Sequence, residues 1–311
     1  MSELMLKTAI ANYGHTTPLK DGSVTSDMFG MEHIEISPVP MIFRRMVRGL
    51  EFDVAEMALA TYLCARAHGK RFTALPVFLT HDFYHGGIVV HERSSISAPR
   101  DLEGKRVGVR SYTLTPGVWT RAILQTEYDV DLDAVTWVLS GDEHVEEFVE
   151  PSNVVSSPNN DLGEMLLSGE IDAAIGAGPI DSPHILPLFP EAHDADKAWH
   201  SKTGIYPISH LLVAKDDLLE SQQGIAGELF DLFSRAKAPY VQELLSGNAS
   251  SAGDKALLKR AEIVGEDPIP YGFQSALHTL EAFIGFNVEQ KVIPNAVDPA
   301  GLFPTETLEL A

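Results

Sequence analysis

The sequence is poor in cysteine and in basic residues. Only one of its 311 residues is a cysteine, so an intrachain disulfide is excluded. Cys64 lies within an apolar helical pattern, which predicts a buried core thiol. Lys and Arg number 23 against 44 Asp and Glu, giving a formal net charge of −21. Because so acidic a surface repels phosphate backbones and anionic membranes, we expect neither a nucleic acid nor a membrane as partner.

Long apolar runs are also missing. No run is long enough to span a membrane, and residues 1–7 lack the basic and apolar regions of a signal peptide. We therefore expect a cytoplasmic protein. With 44% hydrophobic and 22% charged residues, the composition is that of a globular protein, and the length allows two lobes.

Short apolar segments alternate with helical patterns, which predicts an α/β fold with a largely parallel sheet. This pattern restarts near Ser94 and again near Gly204. We interpret each restart as a point where the chain passes from one lobe to another. One lobe is discontinuous and contains residues 1–93 plus 205–311, and the other is inserted and contains residues 94–204. A chain of this kind makes an interlobe cleft with a double hinge.

Residues 76–91 form the most informative segment. Two apolar halves with the composition of strands flank a polar insert that carries His81, Tyr84 and His85. A plain turn would use Gly, Asn or Pro at such positions, whereas this insert holds titratable and aromatic side chains. We interpret the segment as a strand pair whose insert forms the floor of a ligand site.

Other polar side chains follow predicted strands, at the ends where open α/β sheets bind ligands. Tyr13 and His15 follow the first strand, and Glu56 ends a buried one. Arg45 lies on a short helix predicted over residues 41–49. These side chains are expected to converge on the cleft.

In the inserted lobe, Tyr112 and Thr113 precede a helix predicted over residues 116–127. Hydroxyl groups and proline are common at the start of a helix, and the free N–H groups there could receive a carboxylate. Residues 143–160 are acidic and irregular, which predicts a surface loop.

A series of motifs covers most of the chain in order. They are Phe-Arg-Arg-Met at 43–46, Pro-Val-Phe at 76–78, Phe-Tyr-His at 83–85, Leu-Glu-Gly-Lys-Arg-Val-Gly at 102–108, Gly-Glu-Ile-Asp-Ala at 169–173 and Ile-Tyr-Pro-Ile-Ser-His at 205–210. With these motifs the chain resembles the 4,5-dihydroxyphthalate decarboxylase family, which is similar to type II periplasmic binding proteins. The resemblance implies a two-lobe α/β fold of that type and decarboxylation of a hydroxylated aromatic acid, dihydroxyphthalate-like or dihydroxybenzoate-like.

The chain departs from this family at positions where the family carries arginine. The polar insert has His81 and Tyr84, the first loop has Gly14 and His15, and Gly204 precedes the Ile-Tyr-Pro segment. Arginine is the natural bidentate partner of a carboxylate. Its replacement at several positions favours a monocarboxylate or a less charged aromatic ligand over a dicarboxylate.

For the implied decarboxylation, the candidate catalytic residues are His85, His210 and Glu56. A proton must reach a ring carbon, and histidine suits this role near neutral pH. His85 is the first choice as proton donor or as partner of a ring hydroxyl, with a structural turn histidine as the alternative. His210 is either catalytic or a core histidine. Glu56 is costly to bury unpaired, so we expect it to pair with a histidine or a phenol, or else with Arg45.

Seven further side chains are candidates for holding the aromatic acid by stacking, hydrogen bonding or carboxylate contacts. They are Tyr13, His15, Arg45, His81, Tyr84, Tyr112 and Thr113. Each has an alternative as an ordinary core, rim or surface residue. The expected partner is a small aromatic carboxylate, and association of identical chains is left open.

We expect no cofactor. The alternative is a divalent metal bound by His81 and His85 together with His15, Glu56 or His210. A spacing of four suits two ligands on one helical face, whereas this segment is predicted as loop and strand.

Two rival functions are left open. One is a non-catalytic cytosolic binding protein for a small aromatic or carboxylate ligand, because the implied fold is a clamp that closes on ligands. The other is a different reaction on the same fold, such as the dehydration of chorismate, to which the chain shows less resemblance.

Overall fold

The strands form two separate sheets in the computed structural model, which describes residues 4–265 and 267–311. The expectation that a signal peptide is missing rests in part on residues 1–3, which lie outside the described residues. Within the described part of the chain the strands are β1 (Met5–Ala9), β2 (Gly30–His33), β3 (Val54–Ala58), β4 (Phe72–His81), β5 (Ile88–His91), β6 (Arg106–Val109), β7 (Thr136–Leu139), β8 (Val154–Ser156), β9 (Ala173–Ile175), β10 (Ile185–Pro187) and β11 (Ile208–Lys215).

The α-helices of the same residues are α1 (Thr17–Lys20), α2 (Pro40–Gly49), α3 (Leu59–Ala67), α4 (Thr115–Tyr128), α5 (Leu162–Ser168), α6 (Ala192–Thr203), α7 (Asp216–Ser221), α8 (Ile225–Leu245), α9 (Ala252–Val264) and α10 (Phe273–Glu289). The sequence predicts one helix over residues 217–247, but the structure has two. They are separated at Gly224, whose φ of 78° favours glycine and interrupts a right-handed helix. No helix of the described residues is long and apolar enough to cross a membrane.

The first sheet has the strand order β2-β1-β3-β11-β4. Strands β2, β1 and β3 are parallel, whereas β11 runs antiparallel to both β3 and β4. All five residues of β3 are buried, and α3, which follows it directly, is buried from Leu59 to Ala65. A strand buried on both faces is an unusual place for a carboxylate, and Glu56 lies in the middle of it.

The second sheet has the order β10-β5-β9-β6-β7-β8. Strands β9, β6, β7 and β8 are parallel, and β5 is antiparallel to β9 and β10. Helix α5 packs on this sheet through Met165 and Leu166, which are buried together with Val138 and Ile171. Both sheets are therefore mixed, so the prediction of a largely parallel sheet was only partly right.

Contacts along the chain group the residues into two compact units. The first unit contains Met1–Asp82, Tyr206–Ile284 and Ala296–Ala311, and the second contains Phe83–Ile205 and Gly285–Asn295. The predicted lobes, 1–93 plus 205–311 and 94–204, stay a prediction.

The predicted strand pair within residues 76–91 is wrong. Strand β4 pairs with β11 in the first sheet, whereas β5 pairs with β9 and β10 in the second. The polar insert is thus a connection from one sheet to the other. Alternating apolar composition identified both strands, but it carries no information on which distant strand each one pairs with.

Candidate active site

Glu56 is the centre of a hydrogen-bonded group in the first unit. Its side chain is fully buried. The Oε1 atom accepts the O–H of Tyr13 at 2.5 Å and lies 2.6 Å from Nδ1 of His210, while Oε2 accepts the backbone N–H of Ala11 at 2.8 Å. Because an ionised carboxylate only accepts hydrogen bonds, Nδ1 of His210 carries the proton in this arrangement.

Electrostatics keep this carboxylate ionised. Burial alone raises the pKa of Glu56, but the hydrogen bond and charge of His210, with the donors Tyr13 and Ala11, outweigh burial and hold the pKa below its usual range. Burial and the neighbouring Glu56 charge raise the pKa of Tyr13 well above its usual range. Tyr13 therefore keeps its proton and acts as a hydrogen-bonding group.

Of the two pairings expected for Glu56, the structure contains the one with a histidine and a phenol. Arg45 pairs instead with Glu51, through Nε to Oε2 at 2.7 Å and through Nη2 to Oε1, and its guanidinium lies 5.2 Å from the centre of the Phe52 ring. The role of Arg45 in holding a substrate carboxylate stays a prediction, and its guanidinium already has a carboxylate partner.

A cavity of about 410 Å³ opens beside this group within the first unit. Its lining comes from the loop after β1, the end of β4, helices α8 and α9, and Ile269. The lining residues are Asn12, Tyr13, Gly14, His15, Leu79, Thr80, His81, Tyr240, Ser251, Gly253, Asp254, Leu257, Arg260 and Ile269. Three of the predicted substrate-binding residues, Tyr13, His15 and His81, therefore share one cavity, whose volume suits a single-ring aromatic acid.

Aromatic rings shape the cavity wall. The rings of Tyr13 and His15 stack with centroids 5.2 Å apart, and Tyr240 lies 6.0 Å from His15. A Cβ atom at Gly14 would collide with the Tyr240 ring. This close approach gives a physical reason for glycine at this position.

Both histidines of the cavity are neutral near pH 7. Burial lowers the pKa of His15 to about 4 and, with the positive charges of Arg260 and Lys237, lowers the pKa of His81 to about 3. Nε2 of His15 and Nδ1 of His81 are buried with no hydrogen-bond partner among the described residues. Since an unsatisfied buried polar atom is unfavourable by about 1–3 kcal/mol, these nitrogens favour a ligand that hydrogen-bonds to them.

Sequence reasoning missed two charged residues of the cavity, Asp254 and Arg260. Both lie on α9, with Leu257 between them, so a spacing of three places them on one helix face. This spacing could have identified the two charged residues from the sequence. It was obscured because α9 has no buried residue and resembles an ordinary solvent-exposed helix.

His210 lies beside the cavity on β11. In the sheet register it is opposite Thr80, which lines the cavity, and its ring is 5.0 Å from that of Phe43 in an edge contact. Its side chain is 22% exposed while its partner Glu56 is fully buried. The structure thus joins two of the three predicted catalytic residues.

The third predicted catalytic residue, His85, belongs to the second unit. Its Nδ1 lies 2.6 Å from Oδ1 of Asp196, and its Nε2 has no partner within the described part of the chain. The ring is buried among Tyr128, Phe189 and Trp199. Tyr84, its neighbour in sequence, is also buried. Participation of His85 and Tyr84 in the reaction stays a prediction.

Tyr112 and Thr113 are engaged by a carboxylate of the protein itself. Glu143 accepts the backbone N–H groups of both residues and the hydroxyl of Thr113. The Tyr112 ring stacks on the guanidinium of Arg121 at 4.0 Å. The expected role in receiving a carboxylate is thus filled by Glu143, and burial raises the pKa of that side chain. Glu143 was expected in a surface loop, but it is buried.

A metal site was the alternative to a cofactor-free reaction. Within residues 4–265 and 267–311, no group of three or more His, Cys, Asp or Glu side chains is arranged to hold a metal ion. The expectation that no cofactor is used stays a prediction.

Two curated relatives share their name. The chain is 30% identical to a 4,5-dihydroxyphthalate decarboxylase of Comamonas testosteroni, and the alignment covers 99% of each protein. It is 37% identical to a 4,5-dihydroxyphthalate decarboxylase of Pseudomonas putida over 57% of this chain and 71% of that protein. No protein-family model matches the sequence.

Solved structures show the same fold at low identity. The periplasmic aliphatic sulphonate binding protein SsuA of Escherichia coli superposes with a TM-score of 0.58 and 14% identity over 99% of both chains. The desulfurization enzyme DSZB gives a TM-score of 0.58 and 16% identity over 98% of this chain and 97% of that one. At these identities the likeness is one of fold, and it confirms the predicted α/β fold of type II periplasmic binding proteins.

Proposed function

The chain belongs to the 4,5-dihydroxyphthalate decarboxylase family of carboxy-lyases, and from this premise we propose that it removes CO₂ from a hydroxylated aromatic acid held in the cavity of the first unit. One observation carries the assignment to this cavity. Two neutral histidines and one guanidinium, those of His15, His81 and Arg260, line the same space of about 410 Å³. A hydroxylated aromatic carboxylate offers hydroxyl groups to the histidines and a charge to the arginine.

Binding follows from these groups. A guanidinium holds a carboxylate through charge-assisted hydrogen bonds. A neutral imidazole has one nitrogen lone pair, which accepts the proton of a ring hydroxyl. The stacked rings of Tyr13 and His15 supply an aromatic wall for the substrate ring.

The proposed chemistry uses acid–base steps alone. A neutral histidine, His15 or His81, accepts a hydrogen bond from a ring hydroxyl, and the hydroxyl oxygen sends electron density to the ring carbon para to it, which carries the carboxylate. That carbon takes a proton from solvent. The bond to the carboxylate then breaks, its electron pair restores the aromatic ring, and CO₂ leaves. The balance is one proton consumed and one CO₂ released, so no oxidant or reductant is required.

Glu56 and His210 are proposed to position Tyr13. The carboxylate accepts both the Tyr13 O–H and the His210 N–H, which fixes the phenol against the cavity wall. Because the Tyr13 pKa is raised by burial and by Glu56, this phenol is proposed to orient substrate and not to transfer a proton.

The direct test incubates purified protein with 4,5-dihydroxyphthalate and with dihydroxybenzoates, and follows CO₂ release and the absorbance of the acid. The proposal expects CO₂ from at least one of them. Thermal stabilisation by these acids without CO₂ would favour the rival function of a binding protein and would overturn the proposal.

Arg260→Gln is expected to lower kcat/KM by about 10- to 100-fold, because a hydrogen bond to a charged group contributes about 1.5–3 kcal/mol. Most of the change should appear in KM, since the guanidinium binds the carboxylate before that group loses its charge as CO₂. Lys259→Gln is the matched control, because it removes a positive charge from an exposed position of the same helix. Equal kinetics for the two variants would contradict the assignment of Arg260.

His85→Ala tests the sequence-based prediction for the second unit. If His85 acts as an acid or hydrogen-bonding group in catalysis, kcat falls by at least about tenfold in a folded variant. Asp196→Asn is the companion variant, since it keeps the ring but weakens its 2.6 Å partner contact. Unchanged kcat in a folded His85→Ala protein would assign His85 to the buried aromatic cluster alone.

A further inference from the structure

The charges that line the cavity are few. Of the lining residues that the structure describes, two are charged at neutral pH, Arg260 and Asp254. The histidines beside them, His15 and His81, are neutral there because burial lowers the pKa of each. The cavity therefore offers a ligand one positive group and one negative group.

Arg260 has room for one carboxylate. Its Nη1 donates to Oδ1 of Asp82 at 2.9 Å, and that aspartate side chain is 54% exposed. The Nε atom of Arg260 is buried with no partner among the described residues. Since a guanidinium presents its donors as a planar fork, the edge that includes Nε remains for a single ligand carboxylate.

Asp254 stays ionised and opposes a second carboxylate. It accepts the Tyr240 O–H at 2.7 Å and the backbone N–H groups of Ser251 and Ser250 at 2.8 and 3.0 Å. The backbone hydrogen bond from Ser251 and the side-chain bond from Tyr240 hold the pKa of Asp254 well below its usual range. An anion that binds near Asp254 therefore meets a like charge.

Among the described residues that line the cavity, Arg260 is the one Lys or Arg side chain, so no other lining cation offsets that charge. Lys237 is the neighbouring positive group, close enough to act on the pKa values of both histidines. Its Nζ donates to Asp267 at 2.7 Å and to the carbonyl of Ile269 at 2.8 Å. It is thus held by a carboxylate of the protein.

From this charge inventory we propose that the cavity selects aromatic acids with a single carboxylate, in particular dihydroxybenzoates, over dicarboxylates such as 4,5-dihydroxyphthalate. This inference rests on the proposed function and narrows its substrate class. The single carboxylate binds Arg260, and the ring hydroxyls face His15 and His81. In a dicarboxylate the second group would be buried without a cation and beside Asp254, which is unfavourable.

The test compares 3,4-dihydroxybenzoate with 4,5-dihydroxyphthalate, which share the hydroxyl para to a carboxylate and differ by one carboxylate. We expect kcat/KM at least about tenfold higher for the monocarboxylate, which corresponds to about 1.4 kcal/mol. Faster turnover of the dicarboxylate would overturn the inference and leave the proposed function standing. CO₂ from neither of these acids nor from any other dihydroxybenzoate would overturn the proposed function itself.

A charge variant isolates the cause. Asp254→Asn should lower the ratio of kcat/KM for 3,4-dihydroxybenzoate to kcat/KM for 4,5-dihydroxyphthalate, because it should raise kcat/KM for the dicarboxylate. Glu243→Gln, at an exposed position on α8, should leave this ratio unchanged. An unaltered ratio in Asp254→Asn would overturn the role of Asp254. Should that variant fail to fold, thermal shifts of the natural protein with benzoate and phthalate give the second measurement. Stronger stabilisation by phthalate would overturn the inference.

Discussion

Replacing Glu56 by alanine is expected to lower the free energy of unfolding by about 3–5 kcal/mol, because each buried hydrogen-bonding group left without its partner is unfavourable by about 1–3 kcal/mol. The substitution leaves the Tyr13 O–H, the His210 N–H and the Ala11 N–H without their acceptor. It also leaves a space in a strand whose five residues are all buried. Since domains are stable by only about 5–15 kcal/mol, urea unfolding should show a large shift of the midpoint.

Glu51→Ala is the matched control for this experiment. Glu51 also pairs with a basic side chain, Arg45, but the two side chains are 35% and 36% exposed. An exposed pair contributes about 0–1 kcal/mol. A small effect in both variants would show that the Glu56 group contributes little to stability. Glu56→Gln, which keeps the shape, should fall between the two.

Stability should fall steeply as the pH is lowered from about 7 to about 4, and His15 and His81 should account for much of the loss. Burial lowers their pKa values to about 4 and about 3, whereas a histidine in the unfolded chain titrates near 6.5. Between those values the unfolded chain binds protons that the folded chain does not. The stabilisation is therefore complete above about pH 6.5 and is lost as the pH falls toward the folded pKa.

For His15 the loss is on the order of 3 kcal/mol, from a pKa shift of two to three units at about 1.4 kcal/mol per unit. The groups that act on His81 from neighbouring elements, namely Arg260, Lys237 and His15, all favour its neutral form. Glu56 acts in the same direction at lower pH, since its pKa is also depressed in the folded protein.

The measurement is the unfolding free energy at several pH values for the natural protein and for His81→Gln. The variant should lose stability less steeply between about pH 6.5 and pH 5. His184→Gln, which removes a histidine with a side chain that is 49% exposed, serves as the control. Identical slopes in all three proteins would contradict the assignment of the acid sensitivity to the cavity histidines.

The candidate site shows which parts of a structure local physics can predict. A carboxylate in a buried strand must be paired, so the sequence predicted that Glu56 would meet a histidine, a phenol or an arginine. The partners are His210 and Tyr13, which come from distant parts of the chain. Tyr13 and His15 were likewise placed correctly beside the end of β1, because strand ends in open sheets face ligand sites.

Non-local features account for what the sequence did not predict. The two strands within residues 76–91 belong to two different sheets, where each pairs with strands from distant parts of the chain. Arg260 was missed because the acid that it contacts, Asp82, lies 178 residues away. Glu143 was predicted to lie on the surface because an acidic stretch is usually solvated. Its carboxylate instead accepts hydrogen bonds from backbone N–H groups about 30 residues earlier in the chain.

Helix α9 contributes to the cavity but not to the hydrophobic core, which bears on how relatives can differ. It is a segment of 13 residues that contributes none to the buried core, yet it supplies both charged residues of the cavity. Substitutions at its exposed positions should leave core packing and folding almost unchanged. Under the proposed function, substrate preference can diverge through a few mutations in this one helix. That makes α9 the natural segment to exchange between relatives, or to randomise in directed evolution, when a decarboxylase for a differently charged aromatic acid is wanted.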